Sequence, residues 1–286
     1  MICEMALMSW SVVDFHLHVP ERWVREGVSP REAAERLVEF MDGAGIDIGV
    51  VLPIAPYVSN DYVYRVVSYE PKRLVGFASV VPNPADVAVG ELRRAVEDLG
   101  LRGLKLHPGM QGFCVRHPHV VRVVRFAGEL GVPVVVHAML GDLSTLYFKS
   151  GEHSLPSPDR LEDYELLPVL ATETTIVYAH MGGLFGFREF MAIAAGHPNV
   201  FLDTSYSLVT IVEEIGAERF SVYVRHLGAD KLVFGSDDIP GFTPEWLSAK
   251  RQIEIIRGLP NLSEEEKELI LSGNAARLIG LESSPA

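Results

Sequence analysis

Short apolar runs rich in β-branched residues alternate along the whole chain with stretches whose apolar positions recur every three to four residues. The runs occupy 12–18, 48–53, 74–81, 103–107, 132–137, 175–180, 200–203 and 232–235. Most are apolar at consecutive positions rather than at every second one, which is the pattern of strands buried on both faces of a parallel sheet. Helical periodicity fills the intervals, over 32–41, 60–69, 87–99, 120–130, 161–171, 187–195, 211–227, 246–258 and 264–279. Ser29-Pro30-Arg31-Glu32 combines an N-cap, a first-turn proline and a capping-box glutamate; Thr243-Pro244 repeats the cap-then-proline start, and Ser263–Glu266 the capping box. Gly43, Gly100, Gly131 and Gly228 stand where left-handed C-caps are expected. Eight strands, each followed by a helix, predict an α/β chain folded as one (β/α)8 TIM barrel over residues 1–286. Strand one falls near 12–18, strand eight near 232–235 and the C-terminal helices at 244–279. The stretch 138–160 is longer than a plain connection and is expected to be a loop insertion able to act as a lid.

Composition narrows the class. A chain of 286 residues that is 48% hydrophobic can bury a large core and is not a disordered segment. With 38 Asp+Glu against 25 Lys+Arg, the net charge of −13 argues against nucleic acid or an anionic membrane as partner, because phosphate binding needs a basic footprint. No apolar stretch approaches the ~20 residues of a membrane span. The N-terminal residues lack the basic start of a signal peptide, and two cysteines, Cys3 and Cys114, make no disulfide framework, so a reducing cytoplasm is the expected location. A small molecule is the expected substrate, and a homodimer is the expectation from the frequency of such assemblies alone.

The chemistry-bearing residues gather at one edge. Chemistry in such a barrel sits at the C-terminal ends of the strands. Strand one ends Asp14-Phe15-His16-Leu17-His18, strand four Lys105-Leu106-His107, strand five His137 and strand six His180, and strand eight runs into Gly235-Ser236-Asp237-Asp238. Five of the ten histidines therefore end predicted strands. His16 and His18, two residues apart, share a face and can converge on one cation, with His137 and Asp237 placed to supply further ligands. Three imidazoles and a carboxylate leave a position open for water, as in catalytic metal sites. Asp237 is preferred to Asp238 because it directly follows the Gly-Ser exit, although either can be a turn or helix-capping aspartate. His180 fits an acid/base better than a ligand. Lys105 can pair with an acid or a substrate, or be carboxylated and bridge a second metal; one metal is the expectation. His107 can contact substrate or shape the mouth. Tyr57, Phe113 and Tyr206, with Trp23, Met110, Tyr147, Phe148 and Phe242, lie in predicted loops and can line a pocket or pack locally. There is no Gly-x-Gly-x-x-Gly fingerprint, Walker loop or Gly-x-Ser-x-Gly elbow, so nucleotide binding and serine-nucleophile chemistry have no support.

His16-x-His18, GLKLHP at 103–108, VVVHA at 134–138, YAHMGG at 178–183, FGSD at 234–237 and NAARLIGL at 274–281 occur in an order that resembles the amidohydrolase superfamily, and more closely its amidohydrolase-related hydrolases and decarboxylases. The resemblance implies a divalent metal (zinc, with manganese or iron as alternatives) held by His16, His18, His137 and Asp237. It also implies that His180 orients or protonates at the reacting centre. DNases of the TatD type carry a glutamate on strand four where this chain has Lys105 and His107.

The leading expectation is hydrolysis of a small amide, ester or lactone, with Asp237 taking the proton of a metal-activated water and His180 stabilising the oxyanion. The alternative is non-oxidative decarboxylation of an unsaturated or aromatic acid, which calls for a cationic clamp from Arg22, Arg25, Lys105 or Lys149. A barrel that binds a metal or ligand without catalysis is a third reading, and the intact set of strand-end residues argues against it.

Overall fold

A computed structural model describes residues 11–140 and 159–281. The barrel strands are β1 (Val13–Leu17), β2 (Ile48–Val51), β3 (Leu74–Gly76), β4 (Ala78–Ser79), β5 (Leu104–Leu106), β6 (Val134–Met139), β7 (Ile176–Gly182), β8 (Val200–Asp203) and β9 (Leu232–Val233). All pair in parallel, in two ladders ordered β1-β2-β3 and β4-β5-β6-β7-β8-β9. The predicted third strand is divided at Phe77, whose N–H still donates to Val51 O at 3.0 Å, so β3 and β4 are one barrel stave. The other seam is bridged by Phe15 N–H to Phe234 O (2.9 Å) and Asp237 N–H to His16 O (2.8 Å). The result is the (β/α)8 barrel expected from the alternating pattern.

Two cores follow from this geometry. Inside the barrel, Val13, Phe15, Val50, Phe77, Val135, Val177 and Val233 pack with Ala275 and Ile279, which close the N-terminal end. The outer core lies between strands and helices and contains Leu17, Leu37, Leu92, Val123, Leu167, Phe190 and Ile256. The C-terminal segment is tied in by Asn274, whose buried amide donates to Ala229 O and Leu232 O. Just before it, residues Leu269–Gly273 form a π-helical turn. Ile270 O in that turn accepts the N–H of Phe234, so the irregular turn serves the strand that leads into the mouth.

Several expected boundaries move, each for a local reason. The first long helix runs Pro30–Ala44 and is capped by Gly45 (φ 75°), so Gly43 is an interior residue. Ser29 accepts the N–H of Glu32, and Ser263 and Glu266 form the reciprocal capping box. The helix expected at 211–227 is two, Ser207–Ile215 and Ala217–Leu227, meeting at Gly216. Thr243-Pro244 precedes only the 3-10 turn Glu245–Leu247; the helix proper, Ala249–Arg257, is capped by Ser248. Short helices at Glu21–Arg25 and Pro108–Gln111 carry too few turns to show periodicity. Strands β6 and β7 extend past His137 and His180, because Leu140 N–H continues the pairing onto Gly182 O at 2.9 Å. Most of the expected lid, with Tyr147, Phe148 and Lys149, lies outside the described residues. No helix among the described residues is long and apolar enough to cross a membrane.

Phe15 and Phe77 meet edge to face in the barrel interior with centroids 5.6 Å apart, and both are fully buried. Phe77→Ala is expected to cost about 3–5 kcal/mol in urea unfolding; a loss below about 1 kcal/mol would contradict a close-packed interior.

Candidate active site

The register of β1 against β2 shifts between Asp14 and Leu17. Val13 and Phe15 pack in the inner core while Leu17 joins the outer one, so the side-chain alternation reverses across this irregularity. The reversal turns His16, directly after the inward-facing Phe15, towards the barrel mouth together with His18. Gly235 allows the exit of the last strand to pass alongside, since a Cβ there would stand 2.7 Å from His16 Cβ.

Both ring nitrogens of the pair are allotted. His16 Nδ1 lies 2.7 Å from Asp203 Oδ2, and His18 Nδ1 lies 2.6 Å from Leu52 O. Their Nε2 atoms are 3.1 Å apart, and Asp237 Oδ1 stands 3.2 Å from that of His18 and 3.9 Å from that of His16. These three residues form a mutually close donor set able to hold a cation. Two imidazoles and a carboxylate suit zinc, manganese or iron, and with donors about 3–4 Å apart the set fits metal–ligand bonds of about 2 Å. Burial works to raise the Asp237 carboxyl, but the surrounding His16, His18 and His180 rings hold it well below its ordinary value. Its neighbour Asp238 is engaged elsewhere, with Oδ2 accepting the N–H of Ala249 at a helix start.

The other predicted residues surround this set. His180 Nε2 is 2.9 Å from His137 Nδ1, and His180 Nδ1 is 4.0 Å from Asp237 Oδ2. His107 stacks on His137 with centroids 3.8 Å apart, its Nδ1 accepting the N–H of Met110. Lys105 is buried, with Nζ 3.1 Å from His16 Nε2. Burial lowers its ammonium to about 8, against the pull of Asp203 and Asp237. Burial also pushes His16 and His107 well below their usual value. Tyr57 donates to Met110 O at 3.3 Å, and Phe113 and Trp23 are buried among the outer-core residues. Arg22 and Arg25 are exposed.

Four of the five non-glycine residues with positive φ among the described residues lie at this mouth: His180 (64°), Met181 (50°), Tyr206 (57°) and Asp237 (52°). Such conformations are disfavoured for L-residues and collect at functional sites. Tyr206, at ψ −53°, centres a tight three-residue turn closed by Ser207 N–H to Ser205 O at 2.5 Å, the rarer and more strained hand of that turn.

Sequence reading missed three polar residues. Asp203, fully buried, accepts from His16, from the backbone N–H of His180 and Ser205, and from the Ser205 hydroxyl. Asp14, within β1, accepts the N–H of His16 and Ser236 through Oδ1; its Oδ2 has no hydrogen-bond partner among the described residues, and burial pushes its carboxyl up to about 7. Ser205 bridges His180 and Asp203. Asp203 carried a usable signal, because it ends the seventh apolar run as the histidines end theirs.

The chain belongs to the amidohydrolase family Amidohydro_2, which matches residues 13–281. It is 26% identical over 255 residues to the 2-amino-3-carboxymuconate-6-semialdehyde decarboxylase of Dictyostelium discoideum, covering 81% of this chain and 67% of that protein. Its fold is shared with 4-oxalomesaconate hydratase from Rhodopseudomonas palustris (TM-score 0.68, 19% identity, 94% of this chain and 95% of the other). It is also shared with a manganese-bound dihydroxybenzoic acid decarboxylase from Polaromonas sp. JS666 (TM-score 0.64, 17% identity, 96% and 98%).

The buried lysine generates a pH test on the metal-free protein. Because its pKa falls on folding, the unfolded chain holds a proton between about pH 8 and 10.5 that the native state has lost, so native stability rises through that window. Comparing the wild type with Lys105→Met cancels the other titrations. The wild type is expected to gain roughly 2–3 kcal/mol on the variant between pH 8 and 10.5 in chemical unfolding; a pH-independent difference would contradict the buried ammonium.

Proposed function

We propose that this protein is a metal-dependent, non-oxidative decarboxylase of a small unsaturated or aromatic carboxylic acid. The observation that carries the proposal is the Lys105 ammonium, buried 3.1 Å from His16 Nε2. Of the four cations that the decarboxylation reading calls for, Arg22 and Arg25 are exposed, Lys149 lies outside the described residues, and Lys105 stands within the mouth. A desolvated ammonium there suits an anionic substrate carboxylate, which hydrolysis of a neutral amide, ester or lactone does not require. The decarboxylases among the relatives support the same choice over the hydrolysis expected first from sequence.

In this reading His16, His18 and Asp237 hold one divalent ion, with His137 as the fourth ligand that the family resemblance implies. The ion would supply Lewis-acid polarisation of a substrate oxygen. Lys105 orients the carboxylate. The bond from the ring or alkene carbon to the carboxyl carbon breaks, its electron pair stays on the former, and carbon dioxide departs. His180, first protonated at Nε2 from solvent, delivers that proton to the carbon, while His107, stacked on His137, lines the mouth beside the substrate. The buried Lys105 ammonium, together with the ion the site would hold, favours anions at the mouth of an acidic protein.

The test uses zinc- or manganese-loaded protein with carboxyl-13C-labelled 2,6-dihydroxybenzoate and related hydroxybenzoates and unsaturated acids. The expected result is labelled carbon dioxide in step with loss of substrate, reduced about 10²–10⁴-fold by Asp237→Asn at unchanged thermal stability. Turnover of lactones or esters with no carbon dioxide from any acid would overturn the assignment.

A further inference from the structure

The buried carboxylate at the end of β8 joins two parts of the mouth that the sequence presents as separate. Asp203 Oδ2 is 2.7 Å from His16 Nδ1. Its Oδ1 accepts the N–H of His180 at 2.8 Å, the N–H of Ser205 at 3.1 Å and the Ser205 hydroxyl. The Ser205 Oγ is in turn 2.9 Å from His180 Nδ1 and 3.2 Å from His16 Nδ1. An ionised carboxylate only accepts hydrogen bonds. The His16 proton must therefore sit on Nδ1, and the lone pair on Nε2, the nitrogen that faces His18 and Asp237. The Ser205 hydroxyl, having given its proton to Asp203, is left to accept from His180. His180 then also carries its proton on Nδ1, and its Nε2, 2.9 Å from His137, is the nitrogen with a lone pair.

We infer that Asp203 is a positioning residue that sets the tautomer of both imidazoles, His16 directly and His180 through Ser205. This rests on the reading above that His16 holds a metal and His180 handles a proton. One buried anion thereby couples the affinity of the metal site to the state of the proton-transferring ring. A purely structural Asp203 would only satisfy the backbone N–H groups of the left-handed turn at His180 and of Ser205, and an asparagine carbonyl could do the same. Asparagine differs in being neutral and in offering an NH2, so it can pair with either imidazole tautomer; loss of the wrong-tautomer control is the known consequence of such a change in a buried Asp–His pair.

The experiment takes the full chain as wild type, Asp203→Asn and Ser205→Ala, each checked for folding by thermal unfolding without metal. Zinc affinity is measured by competition with a chelator, and imidazole tautomers by long-range 1H–15N correlation in the metal-free protein, with the two rings assigned from His16→Gln and His180→Gln spectra. Asp203→Asn is expected to weaken zinc binding about 10–100-fold and to move both rings away from the pure Nδ1–H signature. Ser205→Ala is expected to keep zinc affinity within about threefold while changing only the His180 signature. Wild-type zinc affinity with unchanged His16 and His180 signals in Asp203→Asn would overturn the inference, as would an unaltered His180 signal in Ser205→Ala. A wild type that binds no zinc at all contradicts the metal reading instead, and the tautomer spectra still decide the role of Asp203.

Discussion

One desolvated carboxylate, Asp203, ties together the ends of β1, β7 and β8 at the barrel mouth. Burying an anion costs several kcal/mol unless hydrogen bonds replace its water. Here the replacements come from the His16 ring, the His180 and Ser205 backbones and the Ser205 hydroxyl. Because those donors belong to three strand ends, they cannot be satisfied independently. The left-handed backbone at His180 is held by the same carboxylate that fixes the ring of His16. The seam between the first and last strands lies alongside, with Asp237 N–H on His16 O and no room for a Cβ at Gly235. Strain at Tyr206 and Asp237 is tolerated because the closed barrel around it is rigid and closely packed.

Legibility from sequence followed how far each signal reaches along the chain. Parallel strands buried on both faces announce themselves as apolar runs, and the eight staves were readable, as were the capped helices at Ser29 and Ser263. What a strand end does in three dimensions was less readable. The irregularity in β1 that turns His16 and His18 inward has no local sequence mark, and neither do the extra residues of β6 and β7 beyond His137 and His180, which depend on pairing with a neighbour. Gly216 dividing one predicted helix, and Gly45 rather than Gly43 ending another, show periodicity surviving while boundaries do not. Strand-end position drew attention to the five histidines. It applies equally to Asp203, but a single aspartate at the end of an apolar run is also the mark of an ordinary turn residue. Phe113, in a predicted loop, is buried among the outer-core residues, a placement its sequence position does not announce.

Charge gives the clearest contrast between composition and site. A net charge of −13 describes the surface. At the mouth, Lys105 is buried close to Asp203 and Asp237, and a divalent ion held by His16, His18 and Asp237 would turn the local sum positive. In the proposed reading, a metal-loaded mouth carrying Lys105 is where an anionic small molecule would be drawn to this acidic protein. The choice of decarboxylation over hydrolysis rests on that lysine more than on the histidines, which serve either reaction.

The most direct measurement is a crystal structure of the manganese-soaked protein with data collected on both sides of the manganese absorption edge. The account predicts one anomalous peak within bonding distance of His16 Nε2, His18 Nε2 and Asp237 Oδ1. Full-occupancy manganese bound elsewhere, or no peak at this mouth in a protein that remains folded, would contradict it.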